Sequence, residues 1–427
     1  MVIAMKPLVE AFQGLVGKDH AFTPSEGHHV DIDGITPSAM VAPGSYEEVV
    51  AILRFANDEG LAIIPLGNGD FRWIGNIPRR YDIALSVSRL NAIVEYEPAD
   101  LTITCEAGAT LDDLHGHLSE NGQMVPFANI PGPSRIGRLL ALPRRESNLA
   151  WGSARDFTIG MRVVTADGRM TRAGGKVVKN VAGYDLCKLF IGSMGTLGVI
   201  VEATFKLAPA PQAEERVNIE FTSLTEACDF ARELSRRRLS LDQAQIDRPM
   251  AITEARPRPR GYVNLTVRLA GAAAAVERSR REAIELATGA GARLEATKSP
   301  KRERPMPALT AAGHSLTCEA SVLPTLLPRL IEEVDSAAPG CFIDVSPLSG
   351  SASLTWLAVT DEEPVHALRA ITTALGGTLM VVGCAPELKR RIDVFGDPPP
   401  AFDLMRRVKQ QFDPNGILSP GRFVGRL

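Results

Sequence analysis

No two of the six cysteines form a C-x-x-C pair. Cys105, Cys187, Cys228, Cys318, Cys341 and Cys384 are scattered, which excludes iron–sulfur clusters of the common spacing and offers no disulfide framework. Buried, reduced thiols in a cytoplasmic protein are the expected state. Long apolar runs are missing as well: none approaches the ~18 residues that a membrane span needs. Charge of one sign is not in excess. The formal net charge is −3, so nothing electrostatic draws the chain to nucleic acid or to an anionic membrane surface. The opening MVIAMKPLVEAFQGLVGKDH lacks a basic start, a continuous apolar core and a clear cleavage site, so no signal peptide is expected. Metal-ligand clusters are absent too. His28 and His29 fall in an early loop, and His115 and His117, two apart on an expected helix, face apart. They read as solvated or structural, and no metal is expected.

What is present is ordinary globular material. The chain has 427 residues, 45% hydrophobic and 23% charged, enough for ~2–3 domains. Residues 39–69 read as strand, helix, strand and glycine loop. Ser45 and Glu48 have capping-box spacing, Val49, Ile52, Leu53 and Ala56 recur at helical period, and Gly60 ends the helix. Short β-type segments follow (IALSV, AIVEYEP, LTITCEAG), then a helix opened by Thr110 and Asp113, and a hairpin turning at Ala166-Asp167-Gly168. Val201, Ala203, Phe205 and Leu207 alternate with Glu202, Thr204 and Lys206, the pattern of a half-buried strand. Ala208-Pro-Ala-Pro-Gln212 marks a boundary. Beyond it, strands and helices repeat as two βαβ-like halves, which suggests one antiparallel sheet with helices on one face. KSPKRERPMP, residues 298–307, reads as a solvated basic loop. The organisation expected is residues 1–212, then 213–400, then a tail 401–427 that returns to the first domain.

One stretch asks for a special explanation. GGKVVKNVAGYDLCKLFIGSMGTLGVI, from Gly174 to Ile200, ends in Gly192, Gly195 and Gly198, with Ser193 and Thr196 between them. A helix is a poor answer, because each interior glycine costs roughly 1 kcal/mol relative to alanine. A strand is weakened by glycine as well. Two readings stay open: a turn packed tightly on its own domain, or bare backbone and hydroxyls facing an acceptor-rich partner such as a phosphate or a flavin.

Five segments in order carry a resemblance: PLGNGD (65–70), GATLDDL (108–114), WGSARDFTIGMRVVTADG (151–168), the glycine stretch and FDPNGILSPGRF (412–423). Together they resemble the FAD-binding domain of the vanillyl-alcohol oxidase / p-cresol methylhydroxylase (PCMH) type. The glycine stretch is especially similar to that of an FAD-binding component of bacterial glycolate oxidase. The resemblance implies an α+β chain with a two-subdomain FAD-binding domain and a second, sandwich-like α/β domain built on an antiparallel sheet. It implies FAD held between Pro65, Gly67, Asn68, Gly69 and Asp70 of a first loop and Pro131, Gly132, Ser134, Gly137 and Arg138 of a second. Ser153 and Asp156 would lie near the cofactor. Gly192, Ser193, Gly195, Thr196, Gly198 and Ile200 would line its ribityl–adenine side. The first loop has no histidine for covalent attachment, so the FAD would be noncovalent. The resemblance assigns no catalytic residue; Asn180 and Tyr184 read equally well as substrate contacts or as turn and core residues, and Lys176 and Lys179 as surface charges.

Two positions depart from that family. Asp70 stands where relatives place serine or threonine, and a carboxylate ~5 Å from a phosphate would cost on the order of 3 kcal/mol at an effective dielectric of ~20. Arg138 replaces a glycine; it either screens Asp70 and binds phosphate, or blocks the site. The implied activity is flavin-dependent oxidation of a small 2-hydroxy acid by an FAD-binding subunit of a glycolate-oxidase-like complex. Its partners would be a second flavin subunit and an iron–sulfur subunit. Location would be cytoplasmic, with any membrane association made through partner subunits. The alternatives are a noncatalytic assembly subunit with a degraded flavin site, and a self-sufficient FAD oxidase.

Overall fold

A computed structural model describes residues 5–25, 28–67, 72–127, 134–143, 149–176, 183–248, 262–295, 315–357 and 359–427. The chain forms two compact units. The first comprises Met1–Arg144, Ser153–Pro209 and Asp397–Leu427; the second comprises Arg145–Gly152 and Ala210–Gly396.

In the first unit, the helix Tyr46–Glu59 starts where the Ser45 side chain accepts the Glu48 N–H, and stops at Gly60 with φ 65°. Ser45 thereby satisfies one of the N–H groups that a helix start leaves without a partner. Val49, Ile52, Leu53 and Ala56 are buried on one side. The helix crosses from the strand Ala39–Val41 to the strand Ile63–Leu66, and both pair in parallel with Ile83–Ser86. Ala21–Phe22 adds an antiparallel edge. A second sheet has five antiparallel strands, ordered Ile93–Glu97, Thr102–Glu106, Val199–Lys206, Thr158–Val164 and Met170–Gly174. Asp113 and Thr110 form a full capping box on the helix Leu111–Ser119.

The strand Val199–Lys206 corrects the half-buried reading. Every residue from Val199 to Phe205 is buried, on both faces. The strand is central, with neighbours on each side, so its polar residues are satisfied inside. Thr204 hydrogen-bonds Thr104 at 3.0 Å, and Glu202 pairs with Arg162 at 3.1 Å and accepts the Tyr46 hydroxyl at 3.1 Å. A buried carboxylate is tolerable only when paired in this way.

The C-terminal helix Phe402–Phe412 leads into a segment that runs back to the small sheet. Ile63 donates to the Ile417 carbonyl at 2.8 Å, and Ser419 donates to the Ile63 carbonyl at 2.8 Å. The tail is thus an extra strand-like neighbour beside the strand whose exit carries Gly67.

Among the described residues the second unit has one eight-stranded sheet, and every pairing in it is antiparallel. Its chain runs β-α-β-β-α-β twice, and the halves join where Leu241–Arg248 pairs with Phe342–Ser346. The helices Leu224–Arg236, Ala273–Gly289, Leu327–Ala337 and Glu363–Ala374 bury their apolar sides against alternate strand residues such as Ile246, Leu265, Val345 and Leu354. Period 2 in the strands and 3.6 in the helices bring both apolar sets into one core.

Candidate cofactor site

Four stretches distant in sequence meet in the first unit: the strand exit at Pro65–Gly67, the segment Ser134–Ala141, the glycine loop and the tail at Ile417–Arg422. A methyl group on Gly195 would lie 3.1 Å from Pro65 Cγ and 3.4 Å from Ser419 Oγ. Gly192 and Met194 donate to the carbonyls of Leu140 and Ala141, each at 2.8 Å. A methyl on Gly67 would lie 3.3 Å from Arg135 Cδ. Gly137 donates to the Ala107 carbonyl at 2.7 Å, and a methyl on it would come within 2.9 Å of Ala107 Cβ.

The glycine loop has local reasons for its composition. Gly192 has φ 79° and Gly195 φ 70°, a backbone region that glycine enters without steric cost. Gly198 packs so closely that a methyl would lie 2.4 Å from Val163 Cγ1. Thr196 Oγ1 donates to the Ser193 carbonyl at 2.7 Å and closes the turn. Ser193, Thr196 and Ile200 are all buried. The loop is therefore packed tightly against its own domain, which is one of the two roles its composition allows.

Two cations of the C-terminal segment hold the surroundings in place. Lys409 Nζ pairs with Asp413 Oδ2, and donates to the carbonyls of Thr196 and Leu418, each at 2.8 Å. Asp413 also accepts the N–H groups of Ile417 at 3.0 Å and Leu418 at 2.8 Å. Burial pulls the Lys409 ammonium below the usual lysine range, and the Asp413 carboxylate opposes that pull. Arg422 donates to the carbonyls of Asn76 at 3.0 Å and Arg72 at 2.7 Å, and to that of Ile74. Burial brings it down to about 10 against the attraction of Asp33. Arg422 thus clasps the segment that leaves the first glycine loop.

Of the second-loop residues, Ser134 is buried and its hydroxyl accepts from Arg138 Nη2 at 2.6 Å. That places Arg138 along its own helix, Ile136–Ala141. Ser153 and Asp156 form the capping box of the helix Ala154–Phe157. Asp156 Oδ2 accepts the Ser153 N–H at 2.9 Å and its hydroxyl at 2.8 Å. These bonds, the backbone one foremost, hold the Asp156 carboxyl below the usual aspartate range. A carboxyl lowered by folding stabilises the fold above its unfolded pKa, and that contribution is lost as pH falls through the folded one. Ser153→Ala should move the Asp156 titration midpoint, read by NMR, back up toward the ordinary value. A midpoint unmoved by the substitution would show that the Ser153 hydroxyl adds nothing to the backbone bond that holds Asp156.

Asn68, Gly69, Asp70, Pro131 and Gly132 lie outside the described residues, as do Lys179, Asn180 and the loop 298–307. Tyr184 is 95% exposed, which removes the core reading for it. Lys176 pairs with Glu95. The six cysteines are free, all but Cys384 buried, and burial raises the thiol pKa of Cys187 and Cys341 to about 11. Among the described residues no group of histidine, cysteine and carboxylates could hold a metal, and no helix is long and apolar enough to cross a membrane. Sequence reasoning noted Arg135 as one of the arginines of the second loop without giving it a role, and missed Lys409, Ser419 and Arg422. Only the i, i+4 spacing of Lys409 and Asp413 could have drawn attention to one of them.

The residues at this junction fit a phosphate-bearing flavin. Among the described residues, Arg135 Nε and Ser419 Oγ are buried without a hydrogen-bond partner, one against Gly67 and one against Gly195. A buried donor without a partner is costly unless something completes it. Known proteins point the same way. The FAD binding domain model matches residues 37–174, and the model for the C-terminal domain of FAD linked oxidases matches residues 397–423. Glycolate oxidase subunit GlcE of Escherichia coli (strain K12) is 30% identical over 356 residues, covering 80% of this chain and 87% of that protein. Glycolate oxidase subunit GlcD of Bacillus subtilis (strain 168) is 26% identical over 434 residues, covering 91% of this chain and 89% of that one. A crystal structure of p-cresol methylhydroxylase with substrate bound has the same fold: TM-score 0.70 at 18% identity, over 98% of this chain and 96% of that one. The chain belongs to the FAD-linked oxidases and is an FAD-dependent oxidoreductase.

Proposed function

We propose that this chain is the FAD-carrying subunit of a complex that oxidises a small 2-hydroxy acid such as glycolate. The observation that supports it most is the convergence of the Pro65–Gly67 exit, the Ser134–Ala141 segment, the Gly192–Ile200 loop and the C-terminal segment in one unit. Bound FAD would supply the chemistry of accepting a hydride from the hydroxyl-bearing carbon. The chain's own part is to hold and orient. In this reading Pro65, Gly67, Asn68, Gly69 and Asp70 form the first cofactor loop, and Pro131, Gly132, Ser134, Gly137 and Arg138 the second. Gly192, Ser193, Gly195, Thr196, Gly198 and Ile200 form the third wall, and Ser153 and Asp156 a supporting cap. Residues 1–212 with the tail 401–427 carry the cofactor, and 213–400 serve as the substrate-type domain. Binding is noncovalent, since the first loop has no histidine.

Without a C-x-x-C pair the chain has no cluster of common spacing to pass electrons onward. A second flavin subunit and an iron–sulfur subunit would take that role, in a cytoplasmic assembly. The purified chain should show flavin absorption bands near unit stoichiometry. Acid precipitation should release the flavin as free FAD. A colourless chain that takes up no added FAD would overturn the proposal and leave an assembly role in its place.

A further inference from the structure

Among the described residues, the Arg135 side chain of the second loop lies against Gly67 of the first. Its Cβ, Cγ and Cδ would lie 3.6, 3.7 and 3.3 Å from a methyl placed on Gly67. Its backbone is fixed on three sides. Leu111 donates to the Ser134 carbonyl at 3.0 Å, Ile136 donates to the Ala109 carbonyl at 2.9 Å, and Leu139 donates to the Arg135 carbonyl at 3.0 Å. One end of the guanidinium is anchored as well, because Nη1 donates to the Gly108 carbonyl. Among the described residues Nε is buried without a hydrogen-bond partner, and Arg135 makes no ion pair. A guanidinium anchored through Nη1 leaves its Nε–Nη2 edge, the edge that grips a phosphate through two parallel hydrogen bonds.

Arg138 is placed differently. Its Nη2 is engaged by Ser134 of the same helical turn.

We propose that Arg135 binds the diphosphate of the cofactor through its Nε–Nη2 edge, and is the phosphate-recognising cation between the first and second loops. The proposal rests on the FAD reading above and adds the residue that selects a phosphorylated flavin over a bare one. Anchoring on Gly108 means that little side-chain freedom is lost on binding.

The test compares apoprotein affinity for FAD with that for riboflavin, which lacks phosphate, by quenching of flavin fluorescence. Arg135→Ala should weaken FAD by about 10–100-fold, the range for a hydrogen-bonded charged contact, and leave riboflavin within about twofold. Arg135→Lys should fall between, since it keeps the charge and loses the fork. Melting of each apoprotein monitors folding. Equal loss of FAD and riboflavin would overturn the proposal, because it would mean that Arg135 only shapes the loop. Unchanged FAD affinity in Arg135→Ala would overturn it as well. Wild-type protein that binds no FAD would overturn the parent reading, and this inference with it; a variant result against a wild type that binds FAD overturns this inference alone.

Discussion

Lys409→Met should release the C-terminal segment from the glycine loop and strongly destabilise the first unit. The Lys409 side chain is 12% exposed and that of Asp413 0%. The ammonium joins three chain segments through Asp413, the Thr196 carbonyl and the Leu418 carbonyl. Removing it leaves a buried carboxylate with two N–H donors and no counter-charge. Breaking a buried pair from one side costs about 3–5 kcal/mol. For a unit of this size that is a fall of roughly 6–20 °C in melting temperature. Asp413→Asn should do comparable harm, since Lys409 would keep two carbonyls and lose its counter-charge. The two substitutions should combine to less than the sum of their effects. FAD affinity should fall in parallel, because Thr196 loses the contact that fixes its carbonyl. Additive effects on melting, measured by calorimetry on the four proteins, would show that the two residues do not act as a pair. A control in the second unit is Arg248, bonded to Asp335 through two nitrogens. Arg248→Met should lower that unit's melting and leave FAD affinity alone.

Gly195→Val should abolish most FAD binding while the second unit stays folded. Valine at φ 70° is an outlier for a β-branched residue. Such strain costs roughly 1–3 kcal/mol. The added carbon would also press on Pro65 at 3.1 Å, and overpacking costs about 1–3 kcal/mol more. Pro65 is where the first loop begins, so relief of the clash opens the junction at which the four stretches meet. Gly195→Asn should be milder, because asparagine visits the left-handed region more readily. The measurement is flavin content per chain beside the melting of each unit. Full flavin content in the valine variant would remove the glycine loop from the cofactor site.

Much of the fold could be read along the chain. The Ser45 cap, the period of Val49, Ile52, Leu53 and Ala56, the Thr110–Asp113 capping box and the Asp167-Gly168 turn are local signals, and each forms where its residues predict. The doubled βαβ rhythm of the second unit also became the single antiparallel sheet it suggested. The PCMH-type resemblance was legible because it is carried by long ordered motifs rather than by one short pattern.

Other features depend on neighbours that local signals do not specify. Period 2 in Val199–Lys206 implied one wet face, yet the strand lies in the middle of a sheet with both faces covered, so Glu202 needed Arg162 and Tyr46 brought from elsewhere. The glycines at 192, 195 and 198 announced an unusual backbone, but tertiary packing on Pro65, Pro143 and Val163 decided which demand each one meets. FDPNGILSPGRF carried only the resemblance, and only the folded chain shows that its Asp413 is half of a buried pair whose lysine holds a loop 213 residues away in sequence. Composition and spacing determine which residues can bury, cap and turn, because those preferences act within a few residues of chain. Partners for Lys409, Arg422, Arg135 and Glu202 are set by three-dimensional closure, because a charge removed from water must be completed by whatever the fold brings within hydrogen-bond reach.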